Sequence, residues 1–530
     1  MPSITLTGLT ATTPDGHTLF QNLDLSFDGG RAALVGRNGV GKTTLLEIIS
    51  GALLPQAGTV SRTGTLGVLR QTVQVAPGES LADLMGVTTA LDVLRRAEDG
   101  QATADELASA DWTLEARIAS TMERVGLRVE PATLLSTLSG GQRTRAALCA
   151  LVLTEPDFIL LDEPTNNLDR EGRTAVIELL ASWRSGAIIV SHDRELLETV
   201  DTIVEMTSLG VTRYGGNWSH YRERKALELA AARHALADAE RRVAEVARAA
   251  QATAERKARK DGAGQRKRAK GDMPRILAGA RQNRAEATSG DNARVAERRR
   301  TQAVEDAAAA RHRIEVLQPL SMVLPSTGLP TGKTVLLLDM VRVGYERSRT
   351  IIDGLSFSLT GPERVAITGP NGSGKSTLLA LIAGKLEPWS GRVRLHTDVA
   401  MLDQQVSLLD PSRSIRDNFL RINPDAEENA CRAALARFMF RADAALQVVS
   451  TLSGGQMLRA GLACVLGGTR PPPLLILDEP TNHLDIESIE AVESGLRAFD
   501  GALLVVSHDE PFLAAIDVTR RLDLPGRGAA

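Results

Sequence analysis

The stretch GRNGVGKT at residues 36–43 sets three glycines, a lysine and a hydroxyl within eight positions. Glycines let backbone N–H groups close around a phosphate, the lysine adds a positive charge, and the hydroxyl beside it can ligate Mg²⁺. GPNGSGKS at 369–376 repeats the pattern. The candidate phosphate-binding residues are Gly36, Asn38, Gly39, Gly41, Lys42, Thr43 and Thr44 in one copy. In the other they are Gly369, Asn371, Gly372, Gly374, Lys375, Ser376 and Thr377.

Three further motifs recur in the same order. LSGGQ at 138–142 returns at 452–456, FILLDEPTNNLD at 158–169 returns as LLILDEPTNHLD at 474–485, and IIVSHD at 188–193 returns as LVVSHD at 504–509. From Glu163 to His192 and from Glu479 to His508 the spacing is 29 residues in both copies, which marks a duplicated domain. The apolar runs Phe158–Leu161 and Leu474–Leu477 read as buried parallel strands. Each run delivers an aspartate, Asp162 or Asp478, to the strand's C-terminal edge, where the magnesium of a nucleotide sits. Glu163 and Glu479 follow at once, placed to orient or deprotonate an attacking water. A glycine-rich loop alone is a weak signal; four motifs in one order, twice, are specific.

In these motifs the chain resembles the ATP-binding cassette (ABC) superfamily, over both halves. The resemblance implies an α/β fold with two P-loop ATPase domains, ATP and Mg²⁺ as cofactors, and a head-to-tail sandwich. One composite site would use Lys42, Thr43, Asp162, Glu163 and His192 with Ser453, Gly454, Gly455 and Gln456 of the other half. The second would use Lys375, Ser376, Asp478, Glu479 and His508 with Ser139, Gly140, Gly141 and Gln142. A serine and two glycines opening a helix supply donors and a dipole for a γ-phosphate. Gln71 in GVLRQ and Gln404 in AMLDQQ occupy the Q-loop positions, contacts for nucleotide and Mg²⁺. Both sites read as complete, so two hydrolysing sites are expected. Tyr345 stands where the family stacks an aromatic on adenine, whereas the first half aligns near Thr12 and Thr13. Asn167 stands where the second half has His483.

The elements that position these residues must fit into 530 residues, enough for two to four domains. We expect a first cassette over 1–221, a linker over 222–316 and a second cassette over 317–530. The net charge of −3 hides a division, because residues 222–316 hold 24 basic and 14 acidic side chains. Between 225 and 260 there is no proline or glycine, and Leu229, Ala232, Leu236, Ala239, Val243, Val246 and Ala250 advance by three and four. Ala303, Ala307, Ala310, Ile314 and Leu317 repeat that spacing, so two antiparallel helices along small side chains are expected. Gly262, Gly264, Gly271 and Pro274 are expected to interrupt helix at the far end.

That far end, residues 255–284, carries eleven Lys or Arg against three acids and no aromatic. The basic residues are Arg256, Lys257, Arg259, Lys260, Arg266, Lys267, Arg268, Lys270, Arg275, Arg281 and Arg284. Without alternating acids the run is not self-satisfied, and without aromatics base stacking is excluded as its main mode. A nucleic-acid phosphate backbone, read by charge and shape, is the expected partner.

Two cassettes joined by such a linker, with YGGNWSHYRERK at 214–225 and EPTNHLD at 479–485, resemble the class F ABC proteins (ABC-F). EPTNNLD at 163–169 deviates from that motif by one residue. The resemblance implies a translation factor or an antibiotic-resistance protein that binds the ribosome, its linker tip approaching rRNA, P-site tRNA and the peptidyl-transferase centre. It also implies an arm in the first cassette. Gln71 to Leu138 is longer than Gln404 to Leu452 by about 19 residues, and these are expected within 86–118.

No run of eighteen apolar residues exists and the N-terminus lacks a basic and apolar leader, so a cytoplasmic protein without a membrane span is expected. Because both cassettes share one chain, a monomer with intramolecular pairing suffices. Cys149, Cys431 and Cys464 lack metal-ligand spacing and read as buried free thiols. The alternatives are an ATPase subunit for a separate permease, or a DNA repair or chromosome ATPase.

Overall fold

A computed structural model describes residues 2–525 except 14–15, 71–74, 208–209, 269–296, 299, 310, 312–323, 347–348 and 483, with backbone alone at 254, 257–258 and 260–268. The chain divides into two units, one formed by Met1–Ser219 with Leu320–Ala530 and one by His220–Pro319.

Within the first unit the two halves share a plan. Strands β1 (Ser3–Thr12), β2 (Thr18–Phe27) and β4 (Ala57–Thr63) form a three-stranded antiparallel sheet in the order β2-β1-β4. A six-stranded sheet follows the order β5-β6-β7-β3-β8-β9. Its parallel strands are β5 (Leu66–Leu69), β6 (Phe158–Asp162), β7 (Gly186–Val190), β3 (Arg31–Gly36) and β8 (Thr202–Thr207), with β9 (Gly210–Gly215) antiparallel at the edge. Every residue of β6 and β7 is buried, which is why their sequences are unbroken apolar runs rather than alternating ones.

The second half repeats this. β10 (Thr334–Val343) lies between β11 (Ile352–Thr360) and β13 (Ser390–Leu395) in the antiparallel sheet. The parallel sheet runs β14 (Val399–Leu402), β15 (Leu474–Asp478), β16 (Ala502–Val506), β12 (Arg364–Thr368) and β17 (Arg520–Asp523). In each half a core of Leu, Ile and Val side chains joins the two sheets to the helix after the glycine loop, Lys42–Ser50 or Lys375–Ile382. The loops that leave the C-terminal edges of the parallel strands are where this architecture binds ligands.

The halves differ in their helical regions. The bridges Ser80↔Leu134 and Ser414↔Val448 frame the same segment in each. Between them the first half carries the helices Thr88–Glu98 and Ala104–Ser109, which have no counterpart in the second. Thr103 closes a capping box with Glu106, and Arg96 pairs with Glu106 at 2.5 Å, so the added helices are tied by their own polar side chains.

All but the first two residues of the helix Trp218–Arg268 belong to the second unit; it has 51 residues, about 77 Å at 1.5 Å per residue, and the returning segment is helical again at 300–309. The long helix runs through Gly262 and Gly264, contrary to the expected interruption. An interior glycine costs about 1 kcal/mol relative to alanine, and the surrounding Ala, Lys, Arg and Glu are strong helix formers, so two isolated glycines do not stop it. Gly271 and Pro274 lie outside the described residues. Leu229, Ala232, Leu236, Ala239, Val243 and Val246 are buried or half-buried along the helix, while Ala250 is exposed. Ala303 and Ala307 of the returning segment are buried too, and Arg311 reaches Glu240 at 2.8 Å.

Candidate active site

The glycine loop after β3 needs glycine for a steric reason. Gly36 has φ +147° and a Cβ there would run into the Met206 carbonyl; Gly369, at φ +138°, would meet the Leu524 carbonyl in the same way. With both edges tightly packed, the loop returns into a helix whose first residue is the lysine. Lys42 Nζ donates to the carbonyls of Gly36 (2.6 Å) and Arg37 (3.1 Å), and Lys375 Nζ to those of Gly369 (2.7 Å) and Pro370 (3.1 Å). Both ammonium groups are buried, and burial pushes their pKa down.

Asp162 and Asp478 end β6 and β15, both buried, and burial pushes their carboxyls up. The Thr43 hydroxyl beside Asp162 and the Ser376 hydroxyl beside Asp478 oppose that rise. Asp478 Oδ1 is buried with no protein partner, and the hydroxyl beside it is a hard oxygen ligand, so the pair fits a Mg²⁺. Among the described residues no group of three or more His, Cys, Asp or Glu could hold a metal alone. That is the usual case for Mg²⁺, which takes one or two protein ligands and completes its shell with phosphate oxygens and water.

Glu163 and Glu479 both adopt φ +48°, a left-handed conformation that costs an L-residue roughly 1–2 kcal/mol. Their N–H groups donate to Val190 and Val506 at 2.9 Å, which holds each glutamate across the adjacent strand. His192 Nε2 lies 3.5 Å from Glu163 Oε1, and His508 Nε2 3.6 Å from Glu479 Oε1. Burial pushes both glutamates up to about 8, with the lysine ammonium opposing. Burial also pushes His192 down to about 3 and His508 to about 4, so both imidazoles are neutral. Both ring nitrogens of His192 and Nε2 of His508 are buried without a protein hydrogen bond.

LSGGQ opens a helix in both halves. Ser139 and Ser453 are N-caps of Gly140–Thr154 and Gly454–Leu466, each closing a capping box with Gln142 or Gln456. The box occupies the N–H groups of serine and glutamine and leaves those of the two glycines as the helix's outward donors.

The two halves meet through their glycine loops. Asn38 N donates to Asp485 Oδ2 at 2.8 Å and Arg37 pairs with Glu487 at 2.6 Å. Across the other seam Asn371 N reaches Asp169 Oδ2 and Asn371 Nδ2 the Asn167 carbonyl, both at 3.4 Å. Arg459, on the second LSGGQ helix, feels Asp485, Arg37 and Glu487, which places that helix beside the first glycine loop. A cavity of about 220 Å³ at the centre is lined from both halves by Glu163, His192, Asn371, Gln404, Glu479 and His508. Tyr345 shares a second cavity of about 320 Å³ with Lys375, Ser376, Gln404 and Asp478, and is two-thirds exposed. Strand register puts Thr13 at the matching place, its hydroxyl taken by the His17 N–H. Gln71 and His483 lie outside the described residues, as do Lys270, Arg275, Arg281 and Arg284. Arg256 and Arg259 are exposed. Lys257, Lys260, Arg266, Lys267 and Arg268 are described by backbone alone.

The ABC transporter family pattern matches residues 20–166 and 352–482. The energy-dependent translational throttle protein EttA of Mycobacterium tuberculosis is 32% identical over 93% of this chain and 87% of its own. The tylosin resistance ATP-binding protein TlrC of Streptomyces fradiae is 32% identical over 93% and 92%. The chain belongs to the ABC-F family. As an ABC-F protein it is an ATP-binding ATP hydrolase with two cassettes. Among solved structures, the RNase-L inhibitor (TM-score 0.55, 18% identity, 94% of this chain and 84% of that one) shares the fold. So does an archaeal ribosome recycling factor in complex with a ribosomal stalk protein (TM-score 0.56, 17% identity, 96% and 86%).

Sequence reasoning missed the residues that join the halves. Asp169 and Asp485 end the repeated LD motif, so their recurrence was the available signal. Arg37 and Arg173 gave the opposite one, standing where the second half has Pro370 and Ile489.

Proposed function

We propose that this ABC-F protein binds the bacterial ribosome in an ATP-closed state and leaves after hydrolysis, acting as a translation factor or in antibiotic resistance from the cytoplasm. The observation that carries this reading is the contact between each glycine loop and the other half's LD aspartate: nucleotide there is sealed by both halves, so its hydrolysis changes how they meet. EttA, by its name, throttles translation, and TlrC confers tylosin resistance; a particle of RNA and protein suits the basic linker end of this chain. No described helix is long and apolar enough to cross a membrane.

In this cycle Lys42 and Lys375 turn from their own loop carbonyls to the phosphates, and the glycine N–H groups of the opposite LSGGQ helix meet the γ-phosphate. Thr43 with Asp162, and Ser376 with Asp478, would hold Mg²⁺, with Gln71 and Gln404 as further ligands. Bound there, the ion would neutralise developing charge on the phosphate oxygens. Glu163 and Glu479, whose pKa burial raises, are the stronger bases for it once ionised and then take a proton from water, and His192 and His508 hold the γ-phosphate side of each site. Tyr345 packs on adenine at the second site.

The linker, 222–316, places its end near 256–284 toward rRNA and P-site tRNA, as a monomer whose cassettes pair within one chain. Changing Arg266, Lys267, Arg268 and Lys270 to Ala should flatten the salt dependence of ribosome binding by about three to four in log–log slope, from about 0.9 per phosphate neutralised, and leave ATP binding unchanged. Pelleting with 70S ribosomes across a KCl series reads this. An unaltered slope would remove the nucleic-acid role of the linker end.

A further inference from the structure

Arg173 is buried on the helix Arg170–Ala181, one turn beyond the cap Asp169. Its guanidinium serves both halves. Nη2 donates to Asp193 Oδ1 at 2.7 Å and Nε lies 2.6 Å from Asp193 Oδ2. Nη1 donates across the seam to the backbone carbonyl of His508 at 2.9 Å. Asp193 directly follows His192, and its carboxylate also caps the helix Arg194–Leu197 through the N–H groups of Glu195 and Leu196. One side chain therefore fixes the residue beside one catalytic-site histidine and the backbone of the other.

Among the described residues the second half has no such bridge at the matching place. Ile489 stands at the position of Arg173, and Asp509, the counterpart of Asp193, accepts from Phe512 N at 3.0 Å. Arginine suits the place: its planar guanidinium sets one donor and its charge against a carboxylate and leaves another donor for a carbonyl, geometry that lysine cannot copy. Because the interior is densely packed, a shift of the Asp193 loop carries Arg173 with it and displaces the His508 carbonyl.

We propose that Arg173 is a positioning residue that couples the two ATP sites, linking the His192 loop of one to His508 of the other so that turnover at each depends on the state of its neighbour. The proposal rests on both sites hydrolysing, which the single variants below report independently.

The test compares steady-state phosphate release by the full chain, Glu163→Gln and Glu479→Gln, each with Arg173, Arg173→Met or Arg173→Lys. Independent sites make the full chain's kcat equal the sum of the two single-site variants; coupled sites make it exceed that sum, by about fivefold or more for an ordinary coupling energy. With Arg173 the excess is expected. With Met it should vanish while KM for ATP stays within about twofold, since a group acting on turnover alone leaves ground-state binding untouched. Lysine preserves the buried charge, and with it the fold, but cannot span both partners, so it should remove more than half the excess even if the Met protein does not fold. An additive parent, an excess kept in the lysine variant, or an excess lost in step with a rise in KM would overturn the proposal. Measurable single-site rates in the same experiment separate that failure from a failure of the two-site reading.

Discussion

Lys42 and Lys375 are held on two carbonyls of their own loops, at nearly the same distances in both halves, so each loop is shaped before nucleotide arrives. Preorganisation of this kind lets the phosphate replace existing hydrogen bonds rather than order a loose chain. The glutamates that follow Asp162 and Asp478 are equally fixed, by the same φ and the same cross-strand bond. Glu163→Gln and Glu479→Gln keep shape and remove the proposed base, so each should lower turnover at its own site by about 10²–10⁴-fold with little change in KM. Phosphate release measured across ATP concentrations checks this, and a KM that moved as far as kcat would assign the glutamates to binding. The three cysteines give a contrast: all are free and buried, and burial pushes Cys149 up to about 12 and Cys431 to about 11, with Cys464 raised as well. None is a thiolate at neutral pH. Iodoacetamide should therefore leave the native protein unlabelled and modify all three after urea unfolding, as intact mass would read; rapid native labelling would contradict their burial.

At the scale of elements, Asp169 and Asp485 do two tasks, capping a helix and reaching the opposite glycine loop. Removing such a cap costs about 1 kcal/mol. Asp485→Ala loses a 2.8 Å contact across the seam as well, whereas Asp169→Ala loses one of 3.4 Å. Both variants should unfold at a lower temperature, and Asp485→Ala should weaken ATP affinity the more; calorimetric unfolding and nucleotide titration read the two effects, and equal losses of affinity would contradict the unequal seams. The strands and loops around the sites were legible because buried parallel strands have to be apolar throughout and phosphate loops have to be glycine-rich. Duplication then supplied a second reading of each. What joins the halves was not legible, since Arg37–Glu487 and the Arg173 bridge pair residues hundreds of positions apart and lack a counterpart in the repeat. The linker helix was legible in its seam but not in its length: Gly262 and Gly264 read as breaks, yet local propensity is a small term against 51 residues of strong helix formers. The added helices Thr88–Glu98 and Ala104–Ser109 show in the sequence only as extra length, because no motif marks them.

For the whole molecule the proposed cycle makes two ATPs and one seam act together. Closure by nucleotide can drive ribosome binding only through a difference in the ribosome's affinity for the closed and open forms. The most direct measurement is sucrose-gradient sedimentation of the Glu163→Gln, Glu479→Gln double variant with 70S ribosomes, in ATP and in ADP. The account predicts co-migration with 70S particles in ATP and its absence in ADP. A double variant that stays at the top of the gradient in ATP, at low as well as physiological salt, would contradict it.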